Sequence, residues 1–221
     1  MRLALKIHAL PVAIFLLITF FLTAGRMGTS FRNFALLTPD LGVYASFAAA
    51  QEHPELFAND PLLSHPENIN DYALLYFPLI KAFKAVLGNY GTASIVFLPV
   101  CIFLHLLGFY CLGWEAFKLP RAALFISLLL SAPTVLTSLP GDWGLTLDPM
   151  PRFMYQSLLP FVLAFTLRVG REIKWWPVIL ILLGLLTYVH PIGTPVWGVA
   201  VPFPGRLGDR DSAGSCYHPD R

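Results

Sequence analysis

The stretch TASIVFLPVCIFLHLLGFYCLG, running from Thr92 to Gly113, decides how this chain is read. It contains no Asp, Glu, Lys or Arg. A helix needs roughly 20 apolar residues to cross the hydrocarbon of a bilayer, and this run supplies them. In lipid a backbone has no water to bond, so such a run closes its own hydrogen bonds as a helix. His105 is its polar exception and is read as a satisfied interhelical donor.

Four further apolar runs flank it: Ile7 to Ala24, Ala122 to Leu139, Phe153 to Leu167, and Pro177 to about Val189. The fourth in chain order, Phe153 to Leu167, is short and carries Pro160, which fits a kinked helix or a partly re-entrant segment. The fifth reaches spanning length if Trp175 and Trp176, suited to a membrane interface, join it. The first follows the basic Arg2 and Lys6. Leu22 makes a poor cleavage site ahead of Ala24, so an uncleaved signal-anchor is expected. Composition agrees: 56% of residues are hydrophobic and mean hydropathy is +0.65. Only 13% are charged, about half of the roughly 25% of soluble domains. A soluble surface cannot be covered with so few charges. The net charge of +2 gives no reason to expect a nucleic-acid partner.

The expected fold is therefore all-α, a polytopic transmembrane helix bundle with a large outer loop. Residues 1–24 form the first span, 25–91 the outer loop, 92–200 spans two to five, and 201–221 a polar tail. Basic residues orient it. Arg2, Lys6, Lys118, Arg121, Arg168, Arg171 and Lys174 fall on one side if the runs span alternately, and that side is read as cytoplasmic. The opposite side carries longer connections and most of the acidic residues.

Two helices are expected in the outer loop. Leu41, Ala45, Ala48 and Ala49 recur at helical spacing, with Asp40 or Thr38 capping the start and Pro39 near the first turn. From Asp71 to Leu87, the stripe of Leu74, Leu75, Pro78, Leu79, Ala82, Phe83 and Val86 suits a helix lying on the membrane surface, with Lys81 and Lys84 off the stripe. Between them Glu52 to Asn70 is rich in turns, with three prolines and three asparagines.

Polar chemistry gathers in the same loop: Asp40, Tyr44, Glu52, Asp60 and Asp71, with His53-Pro54-Glu55 recurring as His65-Pro66-Glu67. Such groups take up protons or bind a divalent metal, or are merely solvated. Asp142 and Asp148 flank Trp143 in a second outer loop. Cys101 and Cys111 share one apolar run, so neither a disulfide framework nor a zinc framework is expected. After Val201 the hydrophobic texture stops, and the unpatterned tail to Arg221 reads as disordered or as an aberrant end with later helices lost.

The layout of a first span, then Thr38-Pro39-Asp40-Leu41-Gly42-Val43-Tyr44, then amphipathic helices before the second span, resembles the GT-C class of membrane glycosyltransferases. His53 to Pro61 is similar to loops of bacterial proteins of that class. The resemblance covers residues 1 to about 200. It implies transfer of a sugar from a polyprenyl-phosphate carrier to an acceptor at the outer face of a bacterial plasma membrane. Asp40 would then be the catalytic general base, since the acceptor hydroxyl must lose a proton. Arg152, at the outer start of the fourth run, would meet the carrier phosphate, and Tyr44 and His190 would bind polar substrate. The alternatives are that Arg152 snorkels at the interface and that His190 bonds a neighbouring helix. The class frequently has a double acidic pair where this chain has Asp40-Leu41, and often nine or more spans. A transporter or channel subunit and a non-enzymatic scaffold are the rival readings; no metal or cofactor follows from the residues.

Overall fold

Regular structure is helical throughout the described residues, and no strand occurs among them. The computed structural model describes residues 2–30, 39–65, 67–70, 73–131, 145 and 147–191. Helix α1 (Arg2–Ser30) precedes α2 (Pro39–Glu52), a 3₁₀ turn (Pro54–Phe57), the single turn α3 (Glu67–Asn70) and α4 (Tyr76–Leu87). Then come α5 (Tyr90–Phe117), α6 (Pro120–Ser131), α7 (Pro151–Val169), a 3₁₀ turn (Ile173–Trp175) and α8 (Trp176–Val189). Asp142, Trp143, the third run beyond Ser131 and the 201–221 tail lie outside the described residues.

Helix α1 over His8–Gly25, and α5 over its whole length, are long and apolar enough to cross a membrane; α6 and α8 are apolar but shorter. Helix α7 has 19 residues, and Pro160 sits inside it without ending it. Arg152 and Gln156 make its first two turns more polar.

Helix α5 is the axis. Asn89 starts it, its Oδ1 accepting from Thr92 N at 2.8 Å. Lys118 ends it in the left-handed region at φ +54°. Helix α1 runs antiparallel to α5: His8 meets Tyr110 and Trp114, and Phe15 packs on Tyr110. After Lys118, α6 folds back along α5, and Ser127 Oγ donates to Leu106 O at 2.7 Å. Gly113 is what lets these two helices close: a Cβ there would stand 3.0 Å from Ala123 Cα. Helix α7 runs in the direction of α5, with Ser157 Oγ donating to Cys101 O at 2.9 Å and Pro160 and Phe161 covering Gly108. Helix α8 returns antiparallel to α7, from the Phe165–Trp175 ring contact to the Tyr155–His190 contact.

The main core joins α1, α4, α5 and α7 through Phe15, Tyr76, Phe77, Phe97, Ile102 and Phe153. A second cluster, including Leu159, Ile179, Leu183 and Leu186, holds α8 to α7. The interior is mainly apolar, yet several large apolar side chains also face outward and a few polar ones are buried. Phe20 and Phe21 of α1, Phe125 of α6 and Ile181 of α8 are all more than 60% exposed, while His105, Ser127 and Ser157 are at most 1% exposed.

Helix α4 differs from its sequence expectation. Ala73 adopts φ +50°, so the helix starts at Tyr76; Asp71 lies outside the described residues. The face buried against the core is Tyr76, Phe77 and Ile80. Of the stripe expected to lie on the membrane surface, Leu74, Leu75, Pro78, Ala82 and Val86 are exposed, and Leu79 and Phe83 pack against the core. Helix α4 is thus apolar on two faces. Lys81 and Lys84 are not simply solvated: they latch α4 to the end of α2, through Gln51 Oε1 at 2.9 Å and Glu52 Oε2 at 2.7 Å.

Candidate functional site

The antiparallel order puts α2, α3, α4, the start of α7 and the end of α8 at one end of the bundle. Tyr44, Arg152 and His190, three of the four residues singled out in the sequence, lie on these elements or directly after them. Pro39 opens α2, so Asp40 is its second residue and falls inside the helix rather than at the cap before it; Thr38 lies outside the described residues. The Asp40 side chain lies outside them too. Tyr44, one helical turn on, is half-buried, its ring 6.2 Å from that of Tyr76 and 6.4 Å from that of Phe47.

Tyr76 is the hub that sequence reasoning missed. It is buried, and its hydroxyl donates to Pro149 O. Burial pushes its phenol far above the usual value, so it serves as a fixed donor rather than an acid. Pro149 stands three residues before Arg152, which sits half-buried in the first turn of α7. One turn further, the ring of Tyr155 lies 5.9 Å from His190. His190 closes α8 with its N–H donating to Leu186 O at 3.0 Å. Tyr188 O accepts from Leu75 N at 3.0 Å, which ties the end of α8 to the entrance of α4. Tyr44 packs on Tyr76, while Arg152 and His190 lie three and two residues from the backbone groups, Pro149 O and Tyr188 O, that bond Tyr76 and Leu75; the backbone of Asp40 is one turn from Tyr44. A phenol, a guanidinium and an imidazole in such an arrangement can bind a polar or phosphorylated group.

The remaining loop groups are mostly engaged locally. Lys84 holds the Glu52 carboxyl below its usual range, chiefly by direct hydrogen bonding. Asp60 Oδ1 accepts from Leu62 N at 2.9 Å and Leu63 N at 3.0 Å, shaping a turn. In both His-Pro-Glu repeats the histidine meets the glutamate, His53 Nδ1 to Glu55 Oε1 at 3.3 Å and His65 Nδ1 to Glu67 Oε1 at 3.1 Å. Among the described residues no group of three or more His, Cys, Asp or Glu is placed to hold a metal. Asp148 is half-buried, its carbonyl accepting from Met150 N at 2.8 Å.

His105, expected to be a satisfied donor, has no hydrogen-bond partner on either ring nitrogen. It lies between the rings of Phe109 and Phe153, at 4.8 Å and 5.7 Å.

Comparison with known proteins returns no matching family model, no similar curated protein and no similar solved structure.

Proposed function

We propose that this chain is a multi-pass membrane protein resembling GT-C glycosyltransferases, whose α2 end handles a polyprenyl-phosphate-linked sugar at the outer face of a bacterial plasma membrane. The observation that supports this reading is that Tyr44, Arg152 and His190 lie at the same end of a helical bundle that exposes large apolar side chains such as Phe20, Phe21, Phe125 and Ile181. Lipid, not water, stabilises that outer surface. Lys118, Arg121, Arg168, Arg171 and Lys174 collect at the opposite end, as expected of a cytoplasmic side.

In this reading Asp40 accepts the proton of the acceptor hydroxyl as general base. Arg152 meets the carrier phosphate through its planar fork of donors. Tyr44 and His190 hold polar groups of the substrate. Asp40→Asn in membranes supplied with lipid-linked sugar is expected to abolish transfer while the protein still accumulates in the membrane. Unchanged transfer removes Asp40 from the mechanism.

One observation favours a second reading, a channel or transporter subunit: His105 is an ionisable side chain buried inside α5 with no hydrogen-bond partner, and such groups commonly mark a path through a membrane. Vesicles carrying the protein would then show solute flux without any lipid-linked sugar, and His105→Phe would stop it.

A further inference from the structure

Four lysine side chains lie among the described residues, and three of them meet a carboxylate: Lys84 with Glu52, Lys118 with Glu115, and Lys174 with Glu172. Lys81 ends instead on the uncharged amide of Gln51. Glu52 stands close enough to feel both Lys81 and Lys84, but its carboxylate is bonded to Lys84. One negative charge therefore faces two positive ones, and the surplus sits on Lys81. Beside it opens a cleft of about 350 Å³ lined by Gln51, Leu74, Phe77, Pro78 and Lys81. Gln51 and Lys81 make one side of it polar; Leu74, Phe77 and Pro78 make the other apolar, and Leu75 and Val86 of the same segment are also exposed. Tyr188, half exposed, adjoins this surface through the Leu75–Tyr188 backbone bond.

The geometry points to a binding site for an anionic phospholipid of the surrounding bilayer, its phosphate on Lys81 and Gln51 and an acyl chain along Leu74, Phe77 and Pro78. The inference rests on the membrane reading above, which puts this end of the bundle at headgroup level. A cation over an apolar wall recognises that class of molecule: the ammonium supplies charge and the wall supplies burial. Free phosphate would leave the apolar wall unused, and a zwitterionic lipid would bring its own cation to Lys81.

The test is native mass spectrometry of the full chain released from nanodiscs of equal phosphatidylglycerol and phosphatidylcholine. Wild type is expected to retain phosphatidylglycerol about tenfold over phosphatidylcholine. Lys81→Met, which keeps the side-chain stem, should lose the preference. Lys81→Arg should keep it, and Lys118→Met, at the far end, should leave it unchanged. Equal retention of both lipids, or a preference that survives Lys81→Met, overturns the proposal. So does displacement by inorganic phosphate alone, or by polyprenyl phosphate at trace amounts, which would assign the cleft to a different anion. Alkaline carbonate extraction separates the two failures. A chain that washes off the membrane sinks the membrane reading, whereas one that stays without lipid preference sinks only this site.

Discussion

Gly113→Ala should destabilise the bundle although it adds a single methyl group. The Cβ would stand 3.0 Å from Ala123 Cα and 3.4 Å from Ala123 O. Carbon atoms rest at about 3.5–4.0 Å, so the overlap is roughly half an ångström or more. The atoms met belong to backbone and cannot rotate aside, so α6 has to move as a unit. That movement strains the Ser127 Oγ to Leu106 O hydrogen bond as well. Overpacking of this kind costs about 1–3 kcal/mol. Replacing a helical glycine returns about 0.5–1 kcal/mol, leaving a net loss on the order of 1–2 kcal/mol. Gly184→Ala is the matched control, because nothing lies within 4 Å of a Cβ there; it should be neutral or slightly stabilising. Gly108→Ala should fall between the two, since the nearest atom is the ring edge of Phe161 at 3.0 Å. Thermal unfolding in detergent, followed by size-exclusion recovery, ranks the three. Adding Ala123→Gly to Gly113→Ala should not rescue it, because the closest atom is Cα and the Ala123 Cβ is 3.5 Å away. Equal midpoints for Gly113→Ala and Gly184→Ala, or full rescue by Ala123→Gly, would refute the close α5–α6 approach.

Two more outcomes follow from the polar contacts. Lys84→Met should cost about 1 kcal/mol or less at neutral pH, the usual worth of a partly exposed ion pair. Because Lys84 lowers the Glu52 pKa below 4.5 in the folded chain, the pair contributes fully above that value and loses its contribution as the pH falls through the lowered one. Denaturant midpoints of wild type and variant should therefore differ at pH 7 and converge in acid once Glu52 is protonated. His105→Leu should stabilise by about 1–3 kcal/mol, because it removes a buried imidazole with no hydrogen-bond partner; a lower midpoint would mean that the ring is bonded in the membrane.

Helix α5 was legible because a long chargeless run allows one answer in lipid, and only its ends moved, to the Asn89 cap and the left-handed Lys118. Helix α7 was half legible: Pro160 suggested a kinked helix or a partly re-entrant segment, and the helix runs from Pro151 to Val169 with Pro160 inside it, while Phe153 and Ser157 pack one face of it on α5. In α4 the spacing showed the outward apolar stripe but not the second apolar face, Tyr76, Phe77 and Ile80, that is buried against the core. Spacing cannot tell two apolar faces apart; the choice comes from contacts with Phe97 and Phe47, which are remote in sequence. The spacing placed Lys81 and Lys84 off the stripe but not their partners, which lie some thirty residues back, at Gln51 and Glu52. In the site, Tyr44, Arg152 and His190 were found by residue type at the ends of apolar runs. Tyr76 was not, since its hydroxyl acquires meaning only from Pro149, 73 residues away.

The buried polar groups divide by what they can bond locally. Ser131, Ser157 and Thr166 each donate to the carbonyl four residues back, Ser127, Phe153 and Val162, so a hydroxyl inside a helix finds an acceptor without tertiary help. Ser127 and Ser157 also reach carbonyls of α5, and so hold α6 and α7 against it. An imidazole has no such local refuge. At position 105 both buried ring nitrogens, beside Phe109 and Phe153, are without a hydrogen-bond partner. Packing alone would favour leucine at His105, which has the volume without the polar cost. That an imidazole stands there, on the helix whose outer turns frame the Tyr76 hub, makes position 105 the place inside the bundle where stability and function pull in opposite directions. A stabilised His105→Leu protein that has lost activity would identify it as a functional group; one that keeps full activity would reduce it to a tolerated defect of packing.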